Sequence, residues 1–313
     1  MKKKYLDLFL YCNFFVSLVF FLLGCGSTAP VNKTPGEEAT NLFKPGTQPK
    51  LVSKQFSFTE GPAADKRGNV FFTDQPNNQI WKYSVNGELS MVTDHSARSN
   101  GLYVDSKGNI IACADEKGQL VSFSPNGKMN VIMDGANDTR LNGPNDLWID
   151  SKGGIYFTDP YYERPYWSDP KPVKHKQNVY YLANGATKPI VVADDLVQPN
   201  GIVGIANNKN LFIADIGDNK TYKYEIEKDG SITGKILFAP MGSDGMTIDN
   251  NGNLYLTGHG VTVFDPTGKK ITNIPINEDW TANVCFGGKD GKELFITASK
   301  GVYTMQMLVR RMK

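Results

Sequence analysis

The chain has 313 residues, of which 40% are hydrophobic and 21% are charged, an ordinary composition for a globular protein. Its net charge is +2, and the first 24 residues carry three lysines and one aspartate, so the remainder is neutral. A neutral body without a basic stripe argues against nucleic acid as a partner. The length is compatible with one domain if the fold is a closed all-β array.

The chain opens with an export signal. Lysines at positions 2–4 precede an almost wholly apolar run over residues 8–23, which ends in Leu-Leu-Gly-Cys at Cys25. This order is typical of a secretory signal, and the ending resembles the bacterial lipobox, in which the cysteine is lipidated. Residues 1–24 are therefore predicted to be a lipoprotein signal peptide. The alternative is a membrane-spanning anchor, for which the apolar run is shorter than the about 20 residues needed.

The mature protein is expected to be an exported bacterial lipoprotein, held at a membrane through the lipid on Cys25 and facing the periplasm or the cell exterior. Residues 25–49 lack periodicity and are rich in proline, glycine and threonine, so they are predicted to be a flexible tether. The folded domain is predicted over residues 50–313. The sequence leaves open the oligomeric state and the choice between the inner and outer membrane.

One unit recurs six times along this domain. It opens with a polar residue, continues into an apolar strand, turns through an Asp-x-x-Gly-Asn type of segment and returns in a second apolar strand. The opening residues lie 40, 45, 55, 44 and 39 positions apart, and they are Glu60, Asn100, Asn145, Asn200, Asp244 and Asn283. A period of about 40–45 residues with several short strands is typical of propeller blades. The sequence therefore predicts an all-β, six-bladed β-propeller.

Three further features accompany the repeat. Residues 51–58 precede the first copy and are predicted to form the outer strand of the last blade, which closes the ring. Residues 160–178 form an aromatic, proline-rich insertion, which is either a wall of the site or a surface loop that packs its own aromatics. Cys113 and Cys285 belong to different copies, which favours two separate buried thiols over a disulfide.

The six opening residues predict a metal site. Equivalent ends of the inner strands converge on the axis of a propeller, and all six side chains there are carboxylates or amides. Burying them without compensation is costly, and Ca²⁺ takes such oxygens as ligands. Zn²⁺ is disfavoured because the set has no His or Cys and because the three histidines, His95, His175 and His259, are scattered. For any single residue the alternative is a turn role, since Asn, Asp and Gly often open strands.

The ordered motifs resemble the SMP-30/gluconolactonase family, in its bacterial branch, over about residues 50–306. They begin at Glu60, Arg140, Phe157, Gln198, Ser243 and Cys285, and read Glu-Gly-Pro, Arg-Leu-Asn-Gly-Pro-Asn-Asp, Phe-Thr-Asp-Pro, Gln-Pro-Asn-Gly, Ser-Asp-Gly-Met and Cys-Phe-Gly-Gly-Lys-Asp-Gly. The resemblance implies a six-bladed propeller with a catalytic Ca²⁺, for which Zn²⁺ or Mg²⁺ are alternatives. It implies four metal ligands, which are Glu60, Asn145, Asn200 and Asp244.

The resemblance also implies residues around the metal. Asp146 would lie behind the ligands, and Asn100 and Asn142 would line the substrate pocket. The chain departs from the family pattern in two places. Gly143, as in the bacterial branch, stands where animal members have arginine, and Ala114 and Asp115 stand where bacterial relatives often have Glu-His. The resemblance therefore does not fix the substrate.

The reaction implied is hydrolysis of a lactone, such as gluconolactone, by a carboxylic-ester hydrolase. The cation is expected to polarise the carbonyl group. Asp244 is expected to act as general base, because Ca²⁺ is a weak generator of bound hydroxide. Two alternatives remain open: hydrolysis of organophosphate triesters at the same site, and a tethered binding propeller with a structural Ca²⁺. The expected partners are a small-molecule lactone and the membrane.

Overall fold

The computed structural model describes residues 41–137, 139–167, 171–205 and 209–312. The predicted signal peptide, the lipidated Cys25 and most of the predicted tether lie outside the described residues. In the part of the chain that is described, no helix is long and apolar enough to cross a membrane. Within these described ranges, twenty-four strands form six antiparallel sheets of four strands each, arranged as the blades of a β-propeller. The predicted fold class is confirmed.

Each blade is built from the axis outward in chain order. The strands of the first three blades are β2 (Thr59–Ala64), β3 (Val70–Asp74), β4 (Gln79–Tyr83) and β5 (Leu89–Thr93); β6 (Ser99–Val104), β7 (Ile110–Ala114), β8 (Gln119–Phe123) and β9 (Met129–Asp134); and β10 (Leu147–Ile149), β11 (Ile155–Asp159), β12 (Asn178–Leu182) and β13 (Ile190–Ala193). The insertion predicted at residues 160–178 connects β11 to β12, within the third blade.

The last three blades repeat this order, and the sixth completes itself with the first strand of the chain. Their strands are β14 (Pro199–Ile205), β15 (Asn210–Asp215), β16 (Lys220–Ile226) and β17 (Ile232–Ala239); β18 (Met246–Ile248), β19 (Leu254–Gly258), β20 (Gly260–Phe264) and β21 (Lys270–Ile274); and β22 (Thr281–Gly287), β23 (Glu293–Ala298), β24 (Gly301–Gln306) and β1 (Lys50–Ser53).

The pairing of β1 with β24 closes the ring. Lys50 lies opposite Thr304 and Leu51 opposite Tyr303 in an antiparallel register. The prediction that residues 51–58 supply the outer strand of the last blade is confirmed for the part that β1 covers. Packing starts even before β1, because Leu42 is 1% exposed and its carbonyl oxygen accepts a hydrogen bond of 2.8 Å from a main-chain amide of the C-terminal segment. The folded body therefore begins earlier than the predicted boundary at residue 50.

The Asp-x-x-Gly-Asn segments form the hairpins between the first and second strands. In the first blade Asp65 Oδ1 accepts hydrogen bonds from the amides of Arg67 and Asn69 at 2.8 and 2.9 Å, and Gly68 has a φ of 92°. A β-branched or bulky residue would be strained at that φ, whereas glycine adopts it freely. These turn aspartates lie at the end of the inner strands opposite to Glu60 and its counterparts.

The hydrophobic core consists of six clusters, one at each interface between neighbouring blades. The cluster between the first and second blades includes Ile80, Leu102 and Val121, all at most 5% exposed. Cys113 belongs to the cluster between the second and third blades, and Cys285 packs at the edge of the cluster that joins the sixth blade to the first. Both are free thiols, which confirms that no disulfide joins them.

A cavity of about 710 Å³ follows the axis inside the ring. Apolar side chains of the inner strands form most of its wall, while Asp146 and Asn283 lie at one end. At the other end the C-terminal segment crosses the opening, where Arg311 Nη1 donates a hydrogen bond of 2.9 Å to the carbonyl oxygen of Asp65. The predicted ligands Glu60, Asn145, Asn200 and Asp244 do not line this cavity, which reaches their end of the axis at Asp146 and Asn283.

Candidate functional site

The six opening residues of the repeat lie at one end of the axis. Each stands within an inner strand near its start or two residues before it. Five of the six are at most 5% exposed, while Asp244 keeps part of its surface open. The strands converge here as predicted, and the burial of so many polar side chains makes this end the candidate site.

Glycines that follow the opening residues allow the strands to approach each other. A Cβ atom on Gly61 would lie 2.0 Å from the carbonyl oxygen of Asn100, and one on Gly245 would lie 1.9 Å from Cγ of Asn283. Both distances are too short for any side chain, so the glycines are required by contact between blades as well as by turns. A Cβ atom on Gly101 would likewise lie 2.6 Å from the carbonyl oxygen of Asn145, whereas one on Gly201 would make a tight contact of 3.0 Å with that of Asp244.

Buried aspartates at the ends of second strands hold the segments that carry three of the predicted ligands. In each case the carboxylate accepts a hydrogen bond from the amide two residues before the ligand. The three contacts are Asp74 with Phe58 at 3.1 Å, Asp159 with Gly143 at 2.9 Å, and Asp215 with Gln198 at 2.8 Å. The recurrence of Asp after an apolar strand was the signal for this role, which the sequence reasoning missed.

Asn200 and Asp244 are in direct contact. Asn200 Nδ2 donates a hydrogen bond of 2.8 Å to Asp244 Oδ1 and another of 2.9 Å to the hydroxyl of Tyr162. The indole Nε1 of Trp280 donates a bond of 2.6 Å to Asp244 Oδ2. Both carboxylate oxygens of Asp244 are therefore fixed in place, and Tyr162 brings the insertion up to the site.

Sequence reasoning missed Trp280, and it named Tyr162 only as part of the insertion. Trp280 lies in the loop before β22, where no motif marks it, and its ring packs edge-on against His259 with centroids 5.6 Å apart. The aromatic character of residues 160–178 was the available signal for Tyr162. Its contact with Asn200 favours the interpretation of the insertion as a wall of the site.

Asn142 has contacts that differ from those expected of a substrate-binding residue. Its Nδ2 donates to the carbonyl oxygens of Asp159 and Lys176 at 3.1 and 3.2 Å, and its Oδ1 accepts a bond of 2.7 Å from the amide of His175. The side chain is fully buried. These bonds fasten the end of the insertion to the third blade, and the role predicted for Asn142 in the substrate pocket stays a prediction.

Three carboxyl groups converge without a cationic partner. Burial, and then the charge of Asp244, raise the pKa of Glu60 well above its usual value. Burial raises the pKa of Asp244 to about 6, although the hydrogen bonds from Trp280 and Asn200 oppose this shift. Burial raises the pKa of Asp146 to about 7. No lysine or arginine of the described residues forms an ion pair with any of the three.

The donor set suits a hard divalent cation. Asn100 Oδ1 and Asn200 Oδ1 are buried without a hydrogen-bond partner, and an acceptor left in that state costs about 1–3 kcal/mol. A cation with oxygen ligands would relieve both this cost and the repulsion between the carboxylates. Across the described ranges, no group of three or more His, Cys, Asp or Glu side chains could hold a metal by itself. A site here therefore needs the amide oxygens.

Comparison with known proteins agrees with this fold. A gluconolactonase from Zymomonas mobilis is 26% identical over 284 residues, which cover 81% of this chain and 79% of the relative. The structure of a gluconolactonase from Xanthomonas campestris superimposes with a TM-score of 0.79 at 23% identity, covering 86% of this chain and 92% of that one.

A calcium-binding protein, regucalcin, from Agrobacterium tumefaciens shares the same fold. Its TM-score is 0.72 at 17% identity, over 85% of this chain and 96% of that one. The family model for the SMP-30/gluconolactonase/LRE-like region matches residues 58–300, an interval that begins just before β2 and ends just before β24. The chain therefore belongs to the SMP-30/gluconolactonase/LRE-like family.

Proposed function

We propose that this protein hydrolyses a lactone at the axial site, with a divalent cation, Ca²⁺ in the first place, held by Glu60, Asn145, Asn200 and Asp244. Family membership and the likeness to the Zymomonas gluconolactonase support the lactone as substrate class. One observation carries the proposal: the amide of Asn200 is bound to Asp244 through its nitrogen, while its buried oxygen has no partner. A cation would give that oxygen the partner it lacks.

The residues of the axial site have different roles in the proposed hydrolysis. When bound, a divalent cation supplies positive charge for the oxyanion that forms as water adds to the lactone carbonyl. Trp280 and Asn200 hold the carboxylate of Asp244 in one orientation through both of its oxygens. Asp244 accepts the proton of the attacking water, because it is the partly exposed acid of the set. Glu60, only 2% exposed, serves as an anchoring ligand.

The proposed hydrolysis has two steps, addition of water and opening of the ring. The water oxygen adds to the carbonyl carbon while its proton moves to Asp244. The bond between that carbon and the ring oxygen then breaks, and the proton passes from Asp244 to the ring oxygen, which leaves as a hydroxyl group. The product is an open-chain hydroxy acid, and Asp244 is restored as a carboxylate.

A lactone panel with purified residues 26–313 tests the proposal. Hydrolysis of sugar lactones should depend on Ca²⁺, disappear with a chelator and return when Ca²⁺ is added back. Faster turnover of a phosphotriester than of any lactone would identify a different hydrolase. Tight Ca²⁺ binding without hydrolysis of either ester class would identify a binding propeller. Either of these results would overturn the proposal.

The role of Asp244 as a base is separable from its role as a ligand. Asp244→Asn should lower kcat by about a hundredfold or more, the usual contribution of a general base, while bound calcium measured by elemental analysis falls much less. Asp265→Asn, in an outer hairpin of the same blade, is the control and should change neither. Parallel loss of activity and calcium in Asp244→Asn would leave Asp244 as a ligand only.

A further inference from the structure

Gly143 and Asp115 are in contact beside the candidate site. A Cβ atom on Gly143 would lie 3.0 Å from Asp115 Oδ1, so the Asp115 carboxylate takes the space that a side chain at position 143 would need. Asp115 is 1% exposed, and its Oδ1 has no hydrogen-bond partner.

Asp115 fixes an arginine of the insertion. Its Oδ2 accepts hydrogen bonds of 2.6 Å from Arg164 Nε and 3.0 Å from the hydroxyl of Tyr166. Because the carboxylate is buried and bonded to Nε alone, it holds the guanidinium by one edge. Within the described ranges the terminal nitrogens of Arg164 donate no hydrogen bond, although a guanidinium offers four N–H groups there.

One aromatic ring separates Arg164 from the predicted ligands. Its guanidinium carbon lies 5.2 Å from the centroid of Tyr162, whose hydroxyl accepts the hydrogen bond from Asn200. The Arg164 side chain is 20% exposed, so part of it is open to solvent. Its charge also lowers the pKa of Asp244, in agreement with a position beside the site.

Two more arginines, Arg98 and Arg140, lie on the same side of the site. Arg98 stacks on Tyr166 and donates its hydrogen bonds to main-chain carbonyl oxygens. Arg140 stacks on Trp167 and likewise donates only to carbonyl oxygens. Arg164 and Arg140 thus act electrostatically on the buried carboxylate of Asp115, and Arg140 acts on that of Asp159 as well. Arg164 is the arginine closest to the predicted ligands through the contact with Tyr162.

We propose that Arg164 determines substrate specificity by binding an anionic group, a carboxylate or a phosphate, on the substrate. Arginine is suited to such groups because its planar fork donates two parallel hydrogen bonds. This inference rests on the proposed lactonase function and narrows it to lactones that carry a second, negatively charged group. Asp115 is a positioning residue that acts through Arg164.

Matched pairs of lactones test this specificity. D-glucaro-1,4-lactone carries a carboxylate that D-glucono-1,4-lactone lacks, and 6-phospho-D-glucono-1,5-lactone carries a phosphate that D-glucono-1,5-lactone lacks. The protein should favour the anionic member of at least one pair in kcat/KM by about tenfold or more, the effect of one charge-assisted hydrogen bond. The pair that shows the preference identifies the anion. Equal kcat/KM within both pairs would overturn the inference.

Substitution of Arg164 assigns the preference to this residue. Arg164→Gln should raise KM for the anionic lactone about tenfold or more and leave its neutral counterpart within about threefold. Because this change leaves the Asp115 charge buried without its partner, the double variant Asp115→Asn with Arg164→Gln is measured as well and should behave alike. Arg98→Gln removes the same charge from the same cluster and is the control, with the preference retained. Equal losses for neutral and anionic lactones in the double variant would reduce Arg164 to a structural role.

Calorimetry separates this inference from the proposed function. D-glucarate and 6-phospho-D-gluconate, the open-chain products, are titrated into the wild-type protein and the Arg164 variants without any need for turnover. Binding that is lost in Arg164→Gln but kept in Arg98→Gln supports the anion site even if no lactone is hydrolysed. Binding of equal strength in all variants, or none in the wild type, contradicts the anion site even if neutral lactones are hydrolysed.

Discussion

At the scale of single residues, the axial site combines side chains that the sequence marks with others that it does not. Glu60, Asn200 and Asp244 open copies of the repeat, so their convergence follows from the period and from the geometry of a propeller. Trp280 does not open a copy of the repeat and lies in the loop between β21 and β22. Its bond to Asp244 depends on how the loop folds back, which no periodic pattern encodes.

The Trp280 hydrogen bond can be removed while its aromatic ring is largely kept. Trp280→Phe should lower kcat for lactone hydrolysis by about tenfold, because a hydrogen bond to a charged group contributes about 1.5–3 kcal/mol and here orients the general base. Trp81→Phe is the control, since the indole of Trp81 bonds only Gln79 Oε1, at 2.9 Å, on an outer part of the first blade. An unchanged kcat in Trp280→Phe would remove the indole from the mechanism.

Asn142 illustrates a limit of reasoning from motifs. Its place beside Asn145 in the chain fits a pocket residue as well as a supporting one. Only the folded structure reveals that both ends of its amide are bonded to the insertion and to Asp159. Hydrogen-bond partners far apart in the sequence decide the role, and a single chain does not encode them in any spacing.

At the scale of elements, the blades follow closely from sequence, and the ends of the body do not. Strand pairs and their turns were predictable because apolar runs alternate with Asp-x-x-Gly-Asn segments, whose aspartates bond the turn amides. Leu42 was not predictable, since one leucine in a polar segment has no periodicity. The supporting aspartates were overlooked as well, and in β7 the corresponding position is Ala114, which pairs with Ser99 as Asp74 pairs with Thr59.

The N-terminal segment before β1 should contribute to stability through Leu42. Leu42→Ala should lower the free energy of unfolding by about 2–5 kcal/mol, the usual range for a buried leucine, because the side chain is 1% exposed in the cluster shared by the fifth and sixth blades. Leu51→Ala, at a position 54% exposed in the neighbouring strand β1, should change it by about 0.5 kcal/mol or less. Denaturant unfolding measures both, and equal effects would mean that Leu42 does not anchor the segment.

At the scale of the whole molecule, six separate apolar clusters of described residues surround an axis whose buried acidic side chains lie at one end. Each interface between blades is stabilised by its own apolar cluster, so the ring does not depend on the axis for hydrophobic burial. One end of the axis can therefore hold several acidic side chains, although their burial lowers the stability of the fold. The raised pKa values of Glu60, Asp146 and Asp244 express that cost.

This cost predicts how stability depends on pH. A carboxyl group with a raised pKa holds its proton in the folded state and releases it on unfolding, so its contribution to stability falls as pH rises from its usual pKa through the raised value. For Asp244 and Asp146 these raised values are about 6 and about 7. The chelator-treated protein should therefore melt at a lower temperature at pH 8 than at pH 5.

Saturating Ca²⁺ should oppose this decline, because the cation favours the ionised carboxylates. The difference in Tm between the protein with Ca²⁺ and the protein with chelator should grow from pH 5 to pH 8 at constant ionic strength. Glu60→Gln, which removes one of the acids, should reduce both the decline and the difference. If Tm with Ca²⁺ and Tm with chelator differed by the same amount at every pH from 5 to 8, that result would contradict a cation site built on these acids.

The pairing of β1 with β24 has a consequence for biosynthesis. β1 is synthesised before the other strands of the propeller and finds its partner only once β24 has been made. Until then the nascent chain exposes two unpaired strand edges, at β1 and at whichever strand was completed last, and such edges invite aggregation. A premature stop codon before β24 would leave β1 without its partner strand. The unpaired strand edges would then distinguish the incomplete product from the closed propeller.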